Sequence, residues 1–395
     1  MTGKNKTCLL RMTERDLSLF SAKASILGTD KSKLFRDGAF CYWGNKDIDA
    51  EDLLQRYKAG TDDEQRIIVD LLFENYRRKG YPYRVLTEHQ LQHEMESLSH
   101  TKSPVLDDDH LQTNMTGLSL ANHFHPHFVK VRCLSRYLSP YECFSDDDRF
   151  KDAIRRWLEL GNKPTPSGLR RILRTRDGVR SVVNFKPAIA KYIYDTYCPR
   201  NGKVLDPCAG YGGRLAGAIG SNKGIHYRGI DPHGPTAIGN MCMADFYSRR
   251  YELTGRVWNF GFGFELGCAE DIMPSMPDES FDCILTSPPY HNVERYSDEP
   301  TQSYLKFPVY DLWRDGFLSP VIRESFRVLK SGGYFVLNIK NYKHMKIADD
   351  ACQLSASCGF ELQKTYQMRL PNSEFHRHED EAKYHAEPIF VFKKR

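Results

Sequence analysis

Val204-Leu205-Asp206-Pro207-Cys208-Ala209-Gly210-Tyr211-Gly212-Gly213-Arg214 decides how the carboxy-terminal half of this chain reads. The apolar run Lys203–Asp206 ends in an acid and a proline. Three glycines then precede an apolar helical pattern over Arg214–Ile219. Glycine lets the chain turn sharply and lets a ligand come close to the backbone, and in doubly wound sheets such a strand–turn–helix is where ligands bind. An acid opening the loop repels a pyrophosphate and suits a ligand with an ammonium group. Alone, the loop reads equally well as an ordinary tight turn. Further on, Gly229-Ile230-Asp231 places an acid at the end of the next strand, suited to ribose hydroxyls.

Working outward, strands and helices alternate from residue 181 onward. The spacing predicts a helix over Lys186–Tyr197 and strands over Lys203–Asp206, Tyr227–Asp231 and Arg256–Phe264. A strand over Phe281–Thr286 follows, then a loop, the helix Val309–Leu329, and strands over Tyr334–Lys340, Glu361–Arg369 and Ile389–Lys393. Alternation of this kind makes an α/β fold, a doubly wound Rossmann-like sheet of seven strands, the last two forming an antiparallel hairpin. Upstream lies a mostly helical region, with patches at Glu64–Arg78 and Phe150–Leu160 and a turn-rich acidic stretch from His100 to His110. The expected domains are 1–47, 48–180 and 181–395.

At the end of the apolar strand stands Thr286-Ser287-Pro288-Pro289-Tyr290. Two prolines end ladder pairing and fix a rigid extended turn. Such a turn presents a serine hydroxyl, a proline carbonyl and an aromatic ring at the carboxyl ends of the strands. Beside the glycine-rich loop, that is more than a stiffened connection.

These residues resemble the S-adenosylmethionine-dependent amino-methyltransferases that act on exocyclic nitrogens of adenine or cytosine in DNA. Ser287-Pro288-Pro289-Tyr290 matches their Asp/Ser/Asn-Pro-Pro-Tyr/Phe tetrad, and Asp206-Pro207-Cys208-Ala209-Gly210-Tyr211-Gly212 matches their cofactor loop. Asn184-Phe185-Lys186-Pro187 matches a Lys-Pro pair ahead of the loop, and Glu387-Pro388-Ile389-Phe390-Val391-Phe392-Lys393 looks like the family's last strand. The resemblance covers residues 181–395. It implies that Asp206, with the Gly210 and Gly212 backbone, holds the amino-acid end of S-adenosylmethionine, with Phe185, Lys186 and Pro187 near its carboxylate. Asp231 would take the ribose hydroxyls and Asp271, or less readily its neighbour Glu270, the adenine amino group. Ser287 and the Pro288 carbonyl would bind the target amine, and Tyr290 would stack on a base flipped out of the helix. Ser at the first tetrad position leans weakly toward cytosine N4. The family's DNA enzymes of this order carry a large recognition domain after the tetrad, whereas only 105 residues follow Tyr290 here. Recognition is therefore expected from the first 180 residues.

There, the strand Thr7–Met12, a helix closed by Gly28 and a second helix from Asp30 resemble a ribbon-helix-helix segment, although a plain helical hairpin fits as well. Such a module implies a homodimer whose ribbon enters the major groove, with Arg11 on its outer face. Residues 149–203 carry fourteen Lys/Arg against four Asp/Glu, among them Arg155, Arg156, Arg170, Arg171, Arg174 and Arg176. These are expected to contact phosphates. His123, His125 and His127 would share a face in an extended strand, as metal ligands do. With no carboxylate or cysteine pair nearby, polar or partly buried histidines beside aromatic packing are the better reading, and no metal is assigned. His376, His378 and His385 read as loop residues.

The 395-residue chain has a formal net charge of +5, an average that hides this concentrated basic segment. Without it the chain is slightly acidic. No apolar run reaches the length of a membrane span, the first thirty residues lack a signal-peptide core, and eleven scattered cysteines make neither a disulfide framework nor a zinc ribbon. A reducing cytoplasm is the expected compartment. The reading is thus a methyltransferase for base amines in DNA, with an RNA enzyme as the close alternative. An inactive methyltransferase fold that merely binds DNA is opposed by the intact motifs, and a small-molecule enzyme leaves the basic segment without purpose.

Overall fold

In the computed structural model, residues 50–112, 114–221, 223–253, 260–369 and 386–395 are described. The ribbon-helix-helix expectation, Arg11 included, and His376, His378 and His385 lie outside them. The strands are β1 (His110–Gln112), β2 (Arg132–Cys133), β3 (Lys203–Asp206), β4 (His226–Asp231), β5 (Gly261–Leu266), β6 (Phe281–Thr286), β7 (Glu294–Arg295), β8 (Leu329–Asn338), β9 (Phe360–Arg369) and β10 (Ala386–Lys394). Apart from a small β2–β7 pair, they form one sheet in the order β1-β9-β10-β8-β6-β3-β4-β5.

Five neighbours, β8, β6, β3, β4 and β5, run parallel. β10 is inserted antiparallel between β8 and β9. The expected terminal antiparallel pair is therefore present. The expected count of seven is not, because His110–Gln112 adds an eighth strand parallel to β9 at the edge. A three-residue strand in an acidic, turn-rich stretch has no periodicity of its own to reveal it. Chain order reverses at β3: the chain moves out through β4 and β5, then returns to β3's other side with β6. In an open α/β sheet the crevice outside the strand ends at such a switch point is the ligand site. The glycine-rich loop leaves β3 and the tetrad leaves β6, so both borders of that crevice are chemistry-bearing.

The parallel strands are buried on both faces, which explains their near-continuous apolar runs. Val204, Leu205, Cys283, Ile284, Leu285, Phe335 and Val336 have no measurable exposure. On one face, helix Gly213–Gly220, buried throughout, crosses helix Pro187–Tyr197 at close range. A Cβ on Gly217 would stand 2.4 Å from Ala190 Cβ, and one on Gly213 only 2.2 Å from the Phe185 carbonyl oxygen. Gly213→Ala is expected to cost about 1–3 kcal/mol, the usual penalty of overpacking, measurable as a lower urea midpoint with an unchanged slope. Wild-type stability in that variant would show that the two segments are not so closely apposed.

The expected helix Val309–Leu329 is observed over residues 310–328, with a π turn at Arg314–Leu318 just ahead of Pro320. The wider turn accommodates a proline that has no N–H to donate. A further helix, Ile347–Ser357, joins β8 to β9.

The chain divides into two units, residues 1–83 with 138–180, and residues 84–137 with 181–395. Arg84–Tyr137 thus groups with the unit that carries the sheet. In the described part of the first unit the regular elements are helices, chiefly Ala50–Ala59, Asp62–Lys79, Pro140–Ser145, Asp147–Glu159 and Pro166–Thr175. They enclose Leu53, Ile68, Leu72, Phe150, Ile154 and Leu169. Thr61 and Glu64 make a reciprocal capping box that starts the second helix two residues ahead of the sequence estimate. Arg77 lies over the Phe73, Phe144 and Phe150 rings and pairs with Asp147 at 2.7 Å.

Candidate active site

β3 delivers Asp206 to its carboxyl end with no measurable exposure. Its Oδ2 accepts from Arg214 Nε at 2.7 Å and from the Tyr227 hydroxyl at 2.7 Å. Arg214 also donates to the Cys208 carbonyl, so one guanidinium folds the loop back on the strand. Burial works against the Arg214 charge, and Asp206 more than offsets it, raising the guanidinium pKa. Asp206 therefore anchors the loop through Arg214 and Tyr227. Its other oxygen, Oδ1, is buried without a hydrogen-bond partner.

Gly210 (φ 55°) and Gly212 (φ 72°) adopt left-handed conformations that favour glycine. A Cβ at Gly212 would meet His125 Cε1 at 2.6 Å and Met243 Cε at 2.7 Å, whereas one at Gly210 would meet nothing closer than 3.7 Å. The Gly210 N–H donates to Asp231 Oδ2 at 3.0 Å, and its carbonyl accepts from Asn240 Nδ2 at 2.9 Å. What Gly210 offers a ligand is open space above a pinned backbone rather than a free donor.

Asp231 ends β4, partly exposed. Its two oxygens accept from the Gly210 and His233 N–H groups, each at 3.0 Å, which leaves lone pairs for hydroxyl donors. Burial pushes its carboxyl up to about 6, against the lowering effect of those two bonds. Asn184 and Phe185 reach the loop. Asn184 Nδ2 donates to the Tyr211 carbonyl at 2.7 Å, and the Phe185 ring lies 5.3 Å from the Arg214 guanidinium. Lys186, 2% exposed, precedes the helix that Pro187 opens.

Glu270 and Asp271 differ in aspect. Both accept from Lys306 Nζ, at 2.7 and 2.8 Å, but the Glu270 side chain is 6% exposed and that of Asp271 64%. Glu270 Oε2 is buried without a hydrogen-bond partner. Of the two, Asp271, which the sequence favours, is the more exposed. Cys268, Glu270 and Asp271 also lie close enough to share a cation. The Lys306 ammonium already supplies that charge.

The tetrad turns off β6 as expected. Thr286 is buried, Ser287 and Pro289 are partly exposed, and Tyr290 is 8% exposed with its ring in the apolar core. The Tyr290 hydroxyl donates to Glu387 at the start of β10. As placed, the tyrosine offers a base only a narrow strip of its ring. The loop that follows is tied to the β2 segment: Arg132 and Cys133 pair with Arg295 and Glu294, and Leu134 N–H donates to the Val293 carbonyl at 2.7 Å.

The histidine stretch is not an extended strand but helix Leu118–Phe124 followed by a 3-10 turn at Pro126–Lys130, so no shared face forms and the reading of packed histidines is the one that fits. His123 accepts from the Leu86 N–H, while His125 is enclosed. His127 stands 5.4 Å from Tyr211 and 5.2 Å from His233, ring to ring, and both His127 and His233 bond Thr236 Oγ1. Burial pushes His125 down to about 4 and, with the neighbouring histidines, His127 to about 3, so both are neutral at physiological pH. They are packing behind the loop.

The expected phosphate contacts fare unevenly. Arg170 donates to the Pro82 carbonyl and Arg176 pairs with Asp152, both within the first unit. Arg155 stands 3.8 Å from Asp152 and Arg156 3.4 Å from Glu159, with both side chains half exposed. Arg171 and Arg174 are exposed. Sequence reasoning missed Arg214, Tyr227, Asn240, Lys306 and Glu387. Only Arg214 carried a signal, its position at the end of the glycine-rich run.

The residues fit an S-adenosylmethionine molecule by donor chemistry. Asp206 Oδ1, Asn240 Oδ1, Glu270 Oε2 and Thr286 Oγ1 are buried without a partner on the elements that border the loop. An acceptor-rich crevice with an open glycine suits a ligand bearing cationic and hydroxyl groups, not a phosphate.

The DNA methylase family profile matches residues 281–395, from β6 and its tetrad through β10, in agreement with the resemblance read from the tetrad and the last strand. A type II beta methyltransferase, M.BslI, from a Bacillus strain is 37% identical over 73 residues, 18% of this chain and 7% of that protein. This chain thus spans a small part of the relative's length. Similar solved structures include a SAM-dependent methyltransferase from Methanosarcina mazei (16% identity, 54% of this chain and 99% of that one, TM-score 0.33). Another is a precorrin-6y C5,15-methyltransferase from Geobacter metallireducens (13%, 53% and 87%, TM-score 0.35). At such scores they add nothing to the strand order itself.

Proposed function

We propose that this protein transfers a methyl group from S-adenosylmethionine to an exocyclic amino nitrogen of a base in DNA. The observation that carries the reading is the pairing, at one switch point, of the pinned glycine loop on β3 with the Ser-Pro-Pro-Tyr turn on β6. The family match supports DNA as the polymer.

Asp231 takes the ribose hydroxyls, and Glu270 takes the adenine amino group while Asp271 holds Lys306. Gly210 and Gly212 keep the crevice open for the amino-acid end, beside Phe185, Lys186 and Pro187. When bound, the cofactor supplies an electrophilic methyl on a sulfonium. An exocyclic amine is a weak nucleophile because its lone pair is delocalised into the ring. Ser287 Oγ and the Pro288 carbonyl accept from that amine, localising its lone pair, and Pro289 fixes the turn. Tyr290 closes the pocket against the flipped base. Positioning and preorganised dipoles carry the acceleration. Ser at the first tetrad position favours cytosine N4 over adenine N6. Exposed Arg155, Arg156, Arg171 and Arg174 are the remaining candidates for phosphate contact.

Radiolabelled methyl from the cofactor is expected in DNA and not in tRNA or total RNA. Label in RNA alone would transfer the reading to an RNA enzyme, and label in neither would remove it. Cofactor affinity is expected to fall below pH of about 6, where Asp231 gains its proton and loses charge-assisted acceptance from the ribose. Calorimetric titration from pH 5 to 8 checks this, and Asp231→Asn should flatten the profile.

A further inference from the structure

Directly after the tetrad the chain takes a conformation that its residue type disfavours. His291 has φ 50°, in the left-handed region that glycine and asparagine occupy at lower cost. The turn closes at once, with the Val293 N–H donating to the Tyr290 carbonyl at 3.1 Å. A residue held in a disfavoured conformation next to a reacting group points to a task for its side chain. Here the residue is 3% exposed, and its Nε2 donates to the Phe307 carbonyl at 3.2 Å. The ring stands 5.8 Å from that of Trp313 and 6.0 Å from that of Tyr310.

The segment that His291 reaches also carries Lys306, whose Nζ donates to Glu270 at 2.7 Å and to Asp271 at 2.8 Å. That segment is clamped. The Phe307 N–H donates to the Ser303 carbonyl at 2.9 Å, and Trp313 Nε1 donates to Ser303 Oγ at 3.1 Å. A Cβ on Gly316 would stand 2.4 Å from the Phe307 ring, so the ring has no room to shift on that side. Two hydrogen bonds and two peptide links therefore join Glu270 to Tyr290, by way of Lys306, Phe307 and His291. Resting on the proposed function, we propose that His291 is a positioning residue that ties the tetrad to the adenine end of the cofactor crevice. An adenine amino group on the free Glu270 Oε2 leaves Oε1 to Lys306 and fixes the segment. His291 then holds the turn so that Ser287 and Pro288 present their acceptors in one place. It touches neither cofactor nor base. The cofactor thus prepares the site for the base, and by reciprocity a bound base tightens the cofactor by the same factor.

Amide hydrogen exchange of the full chain, with and without saturating S-adenosylmethionine, tests the link without DNA. In the wild type the cofactor should slow exchange both in Ala269–Ile272 and at the Tyr290 to Val293 amides, the latter by about fivefold or more. His291→Asn suits the backbone but is too short to reach the Phe307 carbonyl, and Lys306→Met breaks the other end at the surface. Both should keep the protection at Ala269–Ile272 and lose it at the tetrad turn. His291→Gln, whose amide nitrogen can take the place of Nε2, should keep both. In single-turnover methylation of DNA at saturating cofactor, His291→Asn should be slower by roughly 10–100-fold, the cost of a misplaced acceptor. Should His291→Asn fail to fold, Lys306→Met decides alone. Tetrad protection that persists in the folded variants, or that is missing from a wild type shown to bind the cofactor, overturns the link and leaves the methyltransferase reading standing. A wild type that shows the link and methylates no base overturns that reading instead, and one that binds no cofactor overturns both.

Discussion

Ser287→Ala is expected to bind S-adenosylmethionine as the wild type does and to lose 100–1,000-fold in single-turnover methylation, about 3–4 kcal/mol of transition-state stabilisation. Ser287 stands outside the glycine loop, and none of the bonds that pin Gly210 and Asp231 pass through it. Its removal deletes an acceptor whose use begins when the amine reorients toward the methyl group. A ground-state contact would raise KM with kcat unchanged, whereas this one lowers kcat. Equal kcat in the variant removes Ser287 from the mechanism.

Arg214→Ala carries the largest expected loss of stability, about 3–5 kcal/mol, the cost of stripping the partner from a buried charge. Asp206 has no measurable exposure and the Arg214 side chain is 5% exposed, so water cannot replace the guanidinium. Replacing both, Asp206→Leu with Arg214→Met, should cost much less, because no orphaned charge remains. Chemical denaturation of the two variants separates these outcomes. Cofactor binding should be lost in both, since the Cys208 carbonyl is released along with the pair.

The sheet was legible where sequence is locally decisive. Phe281–Thr286 reads to the residue because an apolar run buried on both faces stops at two prolines. β3 reads equally well, since an acid and a proline end it. β8 starts at Leu329, ahead of the expected Tyr334, because Lys330-Ser331-Gly332-Gly333 looks like a turn on its own, yet Leu329 pairs with Phe281. The segment 84–137 was opaque for another reason. Beyond helix Glu88–Ser99 its elements are short, and their place in the fold comes from distant partners: His127 with Thr236, Cys133 with Glu294, His110 with Gln367.

The same contrast runs through the site. The glycines, Asp231 and the tetrad announce themselves by residue type and spacing. The partners of Asp206 and Glu270 are Arg214, Tyr227 and Lys306, which stand 8, 21 and 36 residues away along the chain. The family resemblance puts Asp271 ahead of Glu270. Glu270 is the more buried of the two and its Oε2 lacks a partner, which is why it is the one proposed for the adenine amino group.

The most direct test of the central claim is nucleoside analysis by mass spectrometry after incubating DNA with methyl-labelled S-adenosylmethionine and the protein. The account predicts label on an exocyclic nitrogen, as N4-methylcytosine ahead of N6-methyladenine. Label at cytosine carbon 5, or no methylated nucleoside from a protein shown to bind the cofactor, would contradict it.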